Sequence, residues 1–306
     1  MFSLIESIWK STLLYSKYKY MNNKLKIKNK DLIDIVLIQN KIKLSYKKNI
    51  DLLHNTIRNI RIKNTTIIVL HELSYLRYIG ITKNSEYKSH AISIESNIIK
   101  NLTALCKKKN VYLLFPFFEK SRNRLYNSTI MISSNGEIIG RYRKKNIPDE
   151  TCFNEKYYFN NSSNEFQVIK INNYKVGLMI CWDQWHAESY IQLKKLKADI
   201  ILCPTSIGVA FNKNKNISIP NEKQKWINVI SANSLMTNIP VVVVNRIGLE
   251  KLNDNMIKFW GMSFVTNACG DIIYRAGKKP VVKTLTMNLK ENKNSKKMWN
   301  FIEKLT

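Results

Sequence analysis

Cys181 stands where a nucleophile could be held rigidly and still be reached. It closes the apolar run Val176-Gly177-Leu178-Met179-Ile180 and is followed at once by Trp182-Asp183-Gln184-Trp185. An apolar run of that length with polar residues at its end reads as a buried strand. The thiol then sits at a strand-to-helix elbow, although no Gly-x-Ser-x-Gly motif is present. A lone buried cysteine more commonly packs as a small hydrophobe, so the weight of Cys181 comes from two other segments of similar form. Thr66-Ile67-Ile68-Val69-Leu70-His71 ends on Glu72, and the stretch from Asn135-Gly136 through Tyr142-Arg143 ends on Lys144. A thiol, a carboxylate and an ammonium at three strand ends are the parts of an assisted nucleophilic attack. Functional groups in α/β sheets collect at strand ends.

Alternating apolar runs and amphipathic stretches supply the frame. Residues 33–38 read as a strand, and 45–61 as a helix with Leu52, Leu53, Ile57 and Ile60 on one face. A strand runs to Glu72, a helix covers about 89–108, and 111–115 is a strand. Residues 127–133 and 137–142 form a hairpin turning at Ser134-Asn135-Gly136, where Asn-Gly is a turn signal. An irregular loop over 146–163 carries Glu155. The nucleophile strand spans 174–181, with a helix after it to about 197. Further strands fall at 199–203, 240–244, 262–266, 271–274 and 281–287, with a helix over 221–236. This alternation predicts an α/β fold with helices outside sheets.

At 306 residues and 44% hydrophobic, without Pro/Gly/Ser-rich linkers, the chain suits one large domain. No stretch reaches the ~18 apolar residues of a membrane span, and the N-terminus lacks a clean signal-peptide core. Five cysteines, an odd number without framework spacing, fit a reducing, cytoplasmic setting. The four histidines have no His-x-x-His spacing and the cysteines no Cys-x-x-Cys pair, so no metal site is expected. Nine glycines leave little room for phosphate-cradling loops. His186, five residues past Cys181, is read as the start of the next helix rather than a catalytic partner. The net charge of +28 could mark a nucleic-acid binder. The lysines are spread along the chain, however, with dense tracts only near the termini. Compositional drift is the preferred reading, and nucleic acid is not an expected partner.

Glu72, Lys144 and Cys181, in that order, resemble the Glu–Lys–Cys triad of the nitrilase superfamily of carbon–nitrogen hydrolases. The likeness runs from about residue 33 to about residue 289 and includes Phe117-Phe118-Glu119-Lys120, Tyr126-Asn127-Ser128, Ile147-Pro148-Asp149, Pro204-Thr205-Ser206-Ile207-Gly208 and Asn245-Arg246-Ile247-Gly248. The string Cys181-Trp182-Asp183-Gln184-Trp185 and the Ile-Pro-Asp after the lysine are most similar to the branch that hydrolyses N-carbamoylputrescine to putrescine, CO2 and ammonia. The resemblance implies a four-layer α-β-β-α sandwich over 31–290, with a preceding extension over 1–30 and a helical tail over 291–306. It also implies a cytoplasmic homo-oligomer, dimer or higher, that needs no cofactor and acts on a small carbamoyl amine.

The chemistry assigns roles. A thiol near its ordinary pKa is mostly protonated at neutral pH, so Glu72 is the natural general base. Lys144 and the Trp182 N–H would meet the oxyanion, and water would resolve a Cys-bound carbamoyl intermediate. The resemblance adds Glu155 as a second glutamate that positions substrate and catalytic groups; by local sequence alone it looks like a surface acid. A cationic amine on an apolar chain wants aromatic walls and a distal acceptor. Tyr78, Trp182 and Trp185 could be the walls, and Asp149 or Glu188 the acceptor; core packing is the alternative for each ring. The chain departs from the family at His71, Asn146, His186-Ala187, Ala210 and Asn233, where Pro, His, Phe-Pro, Glu and His are usual. Two alternatives therefore stay open: a hydrolase of another carbamoyl amine or ω-amide, or a drifted binding protein of the same fold.

Overall fold

The computed structural model describes residues 32–162, 165–291 and 301–302. The expected extension over 1–30 and most of the expected tail over 291–306 lie outside them. The first half of the chain contributes β1 (Leu32–Gln39), α1 (Tyr46–Asn59), β2 (Thr65–Leu70), α2 (Asn97–Lys109), β3 (Tyr112–Ser121), β4 (Arg124–Ile132) and β5 (Ile138–Arg143). A loop with the two-residue strands β6 (Asp149–Glu150) and β7 (Phe153–Asn154) leads into the second half. There follow β8 (Val168–Ile171), β9 (Tyr174–Leu178), α3 (Ala187–Lys195), β10 (Ile200–Thr205), β11 (Gly208–Asn212), β12 (Lys215–Asn216), α4 (Glu222–Thr237) and β13 (Val241–Asn245). Finally come β14 (Ile247–Leu252), β15 (Asn255–Trp260), β16 (Phe264–Thr266), β17 (Ile272–Arg275) and β18 (Val281–Asn288).

Two six-stranded sheets form the middle of the molecule, in the orders β18-β1-β2-β3-β4-β5 and β17-β16-β13-β10-β9-β8. Each has a parallel core reached through helices: β1-α1-β2-α2-β3 in one, β9-α3-β10-α4-β13 in the other. The two halves repeat one topology without a visible sequence repeat. Strands buried on both faces read as continuous apolar runs, and β1 shows why. Its Ile33, Ile35 and Leu37 enter the core shared with Val176, Leu178 and Leu202 of the other sheet. Val36 and Ile38 point the other way, onto Leu53 and Ile57 of α1 and Leu102 of α2. Helix, sheet, sheet, helix is the expected four-layer sandwich. Each such buried aliphatic side chain contributes about 1.5–3 kcal/mol.

Several boundaries differ from the sequence reading. The helix expected over 89–108 starts only at Asn97, after a 3-10 turn at Ser85–His90. Ile92 between them is extended, its N–H and C=O engaging Phe118 and Lys120 of β3 at 2.9 Å each. The β2 strand stops at Leu70 and β9 at Leu178, so Glu72 and Cys181 lie just beyond the ladders. A four-stranded sheet, β12-β11-β15-β14, was not expected at all. The hairpin at Gly136 is as read: φ is +82°, and an added Cβ would lie 2.8 Å from the Thr103 carbonyl oxygen.

Candidate active site

The ends of β2, β5 and β10 converge on the middle of the sandwich, where the Glu72 N–H approaches the Thr205 carbonyl at 3.4 Å. Lys144, one residue past β5, is buried there. Its Nζ donates to Glu72 Oε1 at 2.9 Å and to both oxygens of Glu155, at 2.9 and 2.7 Å. Both carboxylates are completely buried. An ammonium and two carboxylates out of water are tolerable only because each is paired and hydrogen-bonded. Asn127, in β4, completes the set by donating Nδ2 to Glu72 Oε1 at 2.7 Å and to Glu155 Oε2 at 3.4 Å. Glu72 Oε2 is buried with no hydrogen-bond partner. A free lone pair on a fixed carboxylate is what a base needs.

Cys181 opens the 3-10 turn Cys181–Trp185 with φ at +43°. A side chain other than glycine is uncommon in that left-handed region, and such strain persists only when the surroundings over-determine it. Asp183 supplies the constraint. Its Oδ2 accepts from the Ile180 N–H at 2.9 Å and from Tyr142 Oη at 2.8 Å. Its Oδ1 accepts from both the backbone and the side-chain nitrogen of Asn146, at 2.9 Å each. Tyr142 and Asn146 flank Lys144 by two residues on either side, so this one carboxylate ties the lysine to the elbow. Gln184 anchors the same turn from behind, its Oε1 accepting from Trp226 Nε1 at 2.9 Å.

Electrostatics couple the thiol to the cluster. Burial and the Glu72 charge push the Cys181 thiol well above its ordinary range, with Lys144 pulling the other way. The resting thiol therefore keeps its proton until a base takes it. Burial opposes the charge on Lys144, but Glu155, Glu72 and Cys181 outweigh it and hold the ammonium above its usual range. Burial pushes Glu155 up to about 7, with Lys144 pulling down and Glu72 raising it further.

That shift has a sign. A carboxyl whose folded pKa exceeds its unfolded value binds protons more tightly when folded, so its stabilising contribution is lost as pH rises from about 4.5 to about 7. His71, held low by burial and by Arg246, acts in the opposite direction. The readout is therefore the stability difference between the wild type and Glu155→Gln, which should shrink across that window. Parallel melting-temperature profiles for the two proteins would show the assignment to be wrong.

Arg246 is a second buried strut. It donates Nη2 to the Glu72 carbonyl at 2.6 Å and the Leu73 carbonyl at 3.2 Å, Nη1 to Glu250 at 2.9 Å, and Nε to Ser206 Oγ at 2.9 Å. It thereby fixes the turn that presents Glu72, in which Leu73 has φ of +47°. Arg246→Met leaves Glu250 Oε1 and the Glu72 and Leu73 carbonyls without their donor, although Glu250 Oε2 keeps the Tyr78 N–H and Arg77, and is expected to cost about 3 kcal/mol of stability. Urea unfolding checks this; a loss under 1 kcal/mol would mean the guanidinium is dispensable.

The remaining expected site residues are placed as follows. Tyr78 is fully buried and donates its hydroxyl to Glu155 Oε1 at 2.5 Å, so it serves the carboxylate. Its ring packs edge-on against Phe259. Trp182 and Trp185 are half-buried beside each other, ring centroids 6.3 Å apart. Asp149 is exposed on β6, and Glu188 is exposed in the first turn of α3 with Gln192 Nε2 3.5 Å away. Asn127, Asp183 and Arg246 stood within motifs whose residue types could be read, but no role for them followed from the sequence. Among the described residues, no group of three or more His, Cys, Asp or Glu could hold a metal ion. No described helix is long and apolar enough to cross a membrane.

The fold is an α-β-β-α sandwich with a buried strand-end cluster of one ammonium and two carboxylates coupled to a thiol. Comparison with known proteins agrees: the carbon-nitrogen hydrolase family model matches residues 35–292, and the chain belongs to that family. The chain is 34% identical to the citrullinase of Francisella tularensis over 245 residues, 80% of this chain and 84% of that protein. It is 30% identical to the N-carbamoylputrescine amidase of Oryza sativa over 258 residues, 82% of this chain and 84% of that protein. Among solved structures, a carbon-nitrogen hydrolase from Helicobacter pylori superposes with a TM-score of 0.81 at 27% identity, covering 89% of this chain and 94% of that one. The protein is thus a hydrolase of non-peptide C–N bonds.

Proposed function

We propose that the protein hydrolyses the terminal ureido group of a small carbamoyl compound carried on an unbranched alkyl chain. The observation that carries the reading is the buried Glu72–Lys144–Glu155 cluster, coupled to the Cys181 thiol, with one Glu72 oxygen left free. Glu72 takes the thiol proton as sulfur attacks the carbamoyl carbon. Lys144 and the Trp182 N–H meet the oxyanion. The tetrahedral species collapses by breaking the C–N bond, and the proton held by Glu72 passes to the leaving nitrogen. Water, activated by Glu72, then releases the carbamoyl group from sulfur as carbamate, which decays to CO2 and ammonia. Glu155 and Tyr78 hold Lys144 and the substrate nitrogen in place.

N-carbamoylputrescine is one substrate on this reading, and its product putrescine would place the step in polyamine synthesis. A second reading, citrulline, is supported by the similarity to a citrullinase. Both carry the same ureido group and differ at the far end. Ammonia release from each compound by the purified protein tests the proposal, with glutaramate-type ω-amides as controls. Release from a ureido compound is the expected result. A folded protein that releases ammonia from none of them would overturn it and direct attention to the basic surface.

A further inference from the structure

A cavity of about 410 Å³ lies over β11 and β15, lined by Val209, Trp260, Glu222, Lys223, Lys258 and Lys278 among others. Three contacts place it beside the segment that touches the base. Ser206 Oγ donates to the Glu72 carbonyl at 3.3 Å, and Val209 follows three residues later, no more than about 11 Å along the chain. The Trp260 N–H donates to the Ile207 carbonyl at 3.1 Å, closing the cavity floor onto that same segment. Cys152, in the loop that runs from Lys144 to Glu155, donates its thiol to the Phe211 carbonyl of β11 at 3.4 Å. The cavity therefore borders both the segment that touches Glu72 and the β-strand on which the Lys144–Glu155 loop rests.

From this placement we infer that the cavity is the subsite for the far end of the substrate, and that its charges select a tail bearing a carboxylate, such as an α-amino acid, over a tail ending in a lone ammonium. This rests on the reading that Cys181 acts on a terminal ureido group. Trp260 and Phe259 offer an apolar floor for methylenes. At the rim stand three lysines and one carboxylate. A lone ammonium would meet a net positive ring. A zwitterionic end places its ammonium at Glu222 and its carboxylate among Lys223, Lys258 and Lys278. Neither Asp149 nor Glu188 lines this cavity, so the distal acceptors expected from the sequence are not where the tail would go.

The test compares kcat/KM for L-citrulline and N-carbamoylputrescine in the wild type, in Lys258→Glu/Lys278→Glu and in Glu222→Gln. Both lysines are exposed, so the double variant should fold, which its melting temperature verifies. The wild type should prefer citrulline. The charge reversal should lower citrulline turnover ~10-fold and raise that of N-carbamoylputrescine by a similar factor, as expected for solvated pairs. Glu222→Gln should weaken citrulline through KM with kcat nearly unchanged. Turnover of a ureido compound with a preference that no substitution moves overturns the subsite but leaves the ureido reading standing. No turnover of either compound overturns both.

Discussion

Cys181→Ala is expected to lower kcat/KM for the ureido substrate about 10^4-fold or more while leaving the protein folded. Removing a covalent nucleophile from a preorganised site typically leaves only what binding and oxyanion stabilisation supply. The side chain is small and sits at the surface of the core, 4% exposed, so alanine removes one sulfur and opens little space. Cys181→Ser separates two effects. It keeps an oxygen nucleophile of far higher pKa, which Glu72 must deprotonate from a less acidic group. Its activity should stay near the alanine level. The wild type should take up one equivalent of a thiol reagent more than Cys181→Ala does, with loss of activity, while the more exposed Cys269 labels in both; substrate should slow only the inactivating step. Either variant retaining a tenth of wild-type turnover would mean that sulfur is not the attacking atom.

Lys144→Met should lose both activity and stability. The ammonium is the only cation bonded to Glu72 and Glu155 in the described site. Methionine fills a similar volume and leaves two buried carboxylates with no cation between them, held only by the neutral donors Asn127 and Tyr78. Removing one partner of a buried pair costs about 3–5 kcal/mol, and losing an oxyanion donor costs about 10^2- to 10^3-fold in kcat. The two losses can be told apart. A Lys144→Met/Glu155→Gln double variant removes one stranded charge and should recover part of the stability. It should recover none of the rate, because no cation remains to meet the oxyanion. Recovery of rate with stability would assign Lys144 a structural role only.

The local signals for the three strand ends are strong because they are short-range. An apolar run of five or six residues broken by a polar side chain marks the end of a buried strand wherever it occurs, and so Glu72 and Cys181 could be read directly; Lys144 ends the mixed segment Ile138–Arg143, which the Asn135-Gly136 turn marks as a hairpin strand. The same rule failed over 89–108, where Ile92 has the periodicity of a helix but pairs with β3 at 2.9 Å. It failed again at β14 and β15, whose mixed pattern reflects one face on the core and one on solvent.

Residue type and spacing along the chain by themselves determined the α/β class and marked Glu72, Lys144 and Cys181 as groups at the ends of β-segments. The tertiary structure alone decided which polar residues serve them. Lys144 meets Glu72 across 72 positions and Arg246 braces Glu72 across 174. Glu155, with nothing in its neighbours to distinguish it from a surface acid, is buried because Lys144, Tyr78 and Asn127 satisfy it. Periodicity reports which way a side chain points relative to its own backbone. Whether a charge can be buried depends on partners brought from elsewhere, and only the packing of the two sheets supplies those.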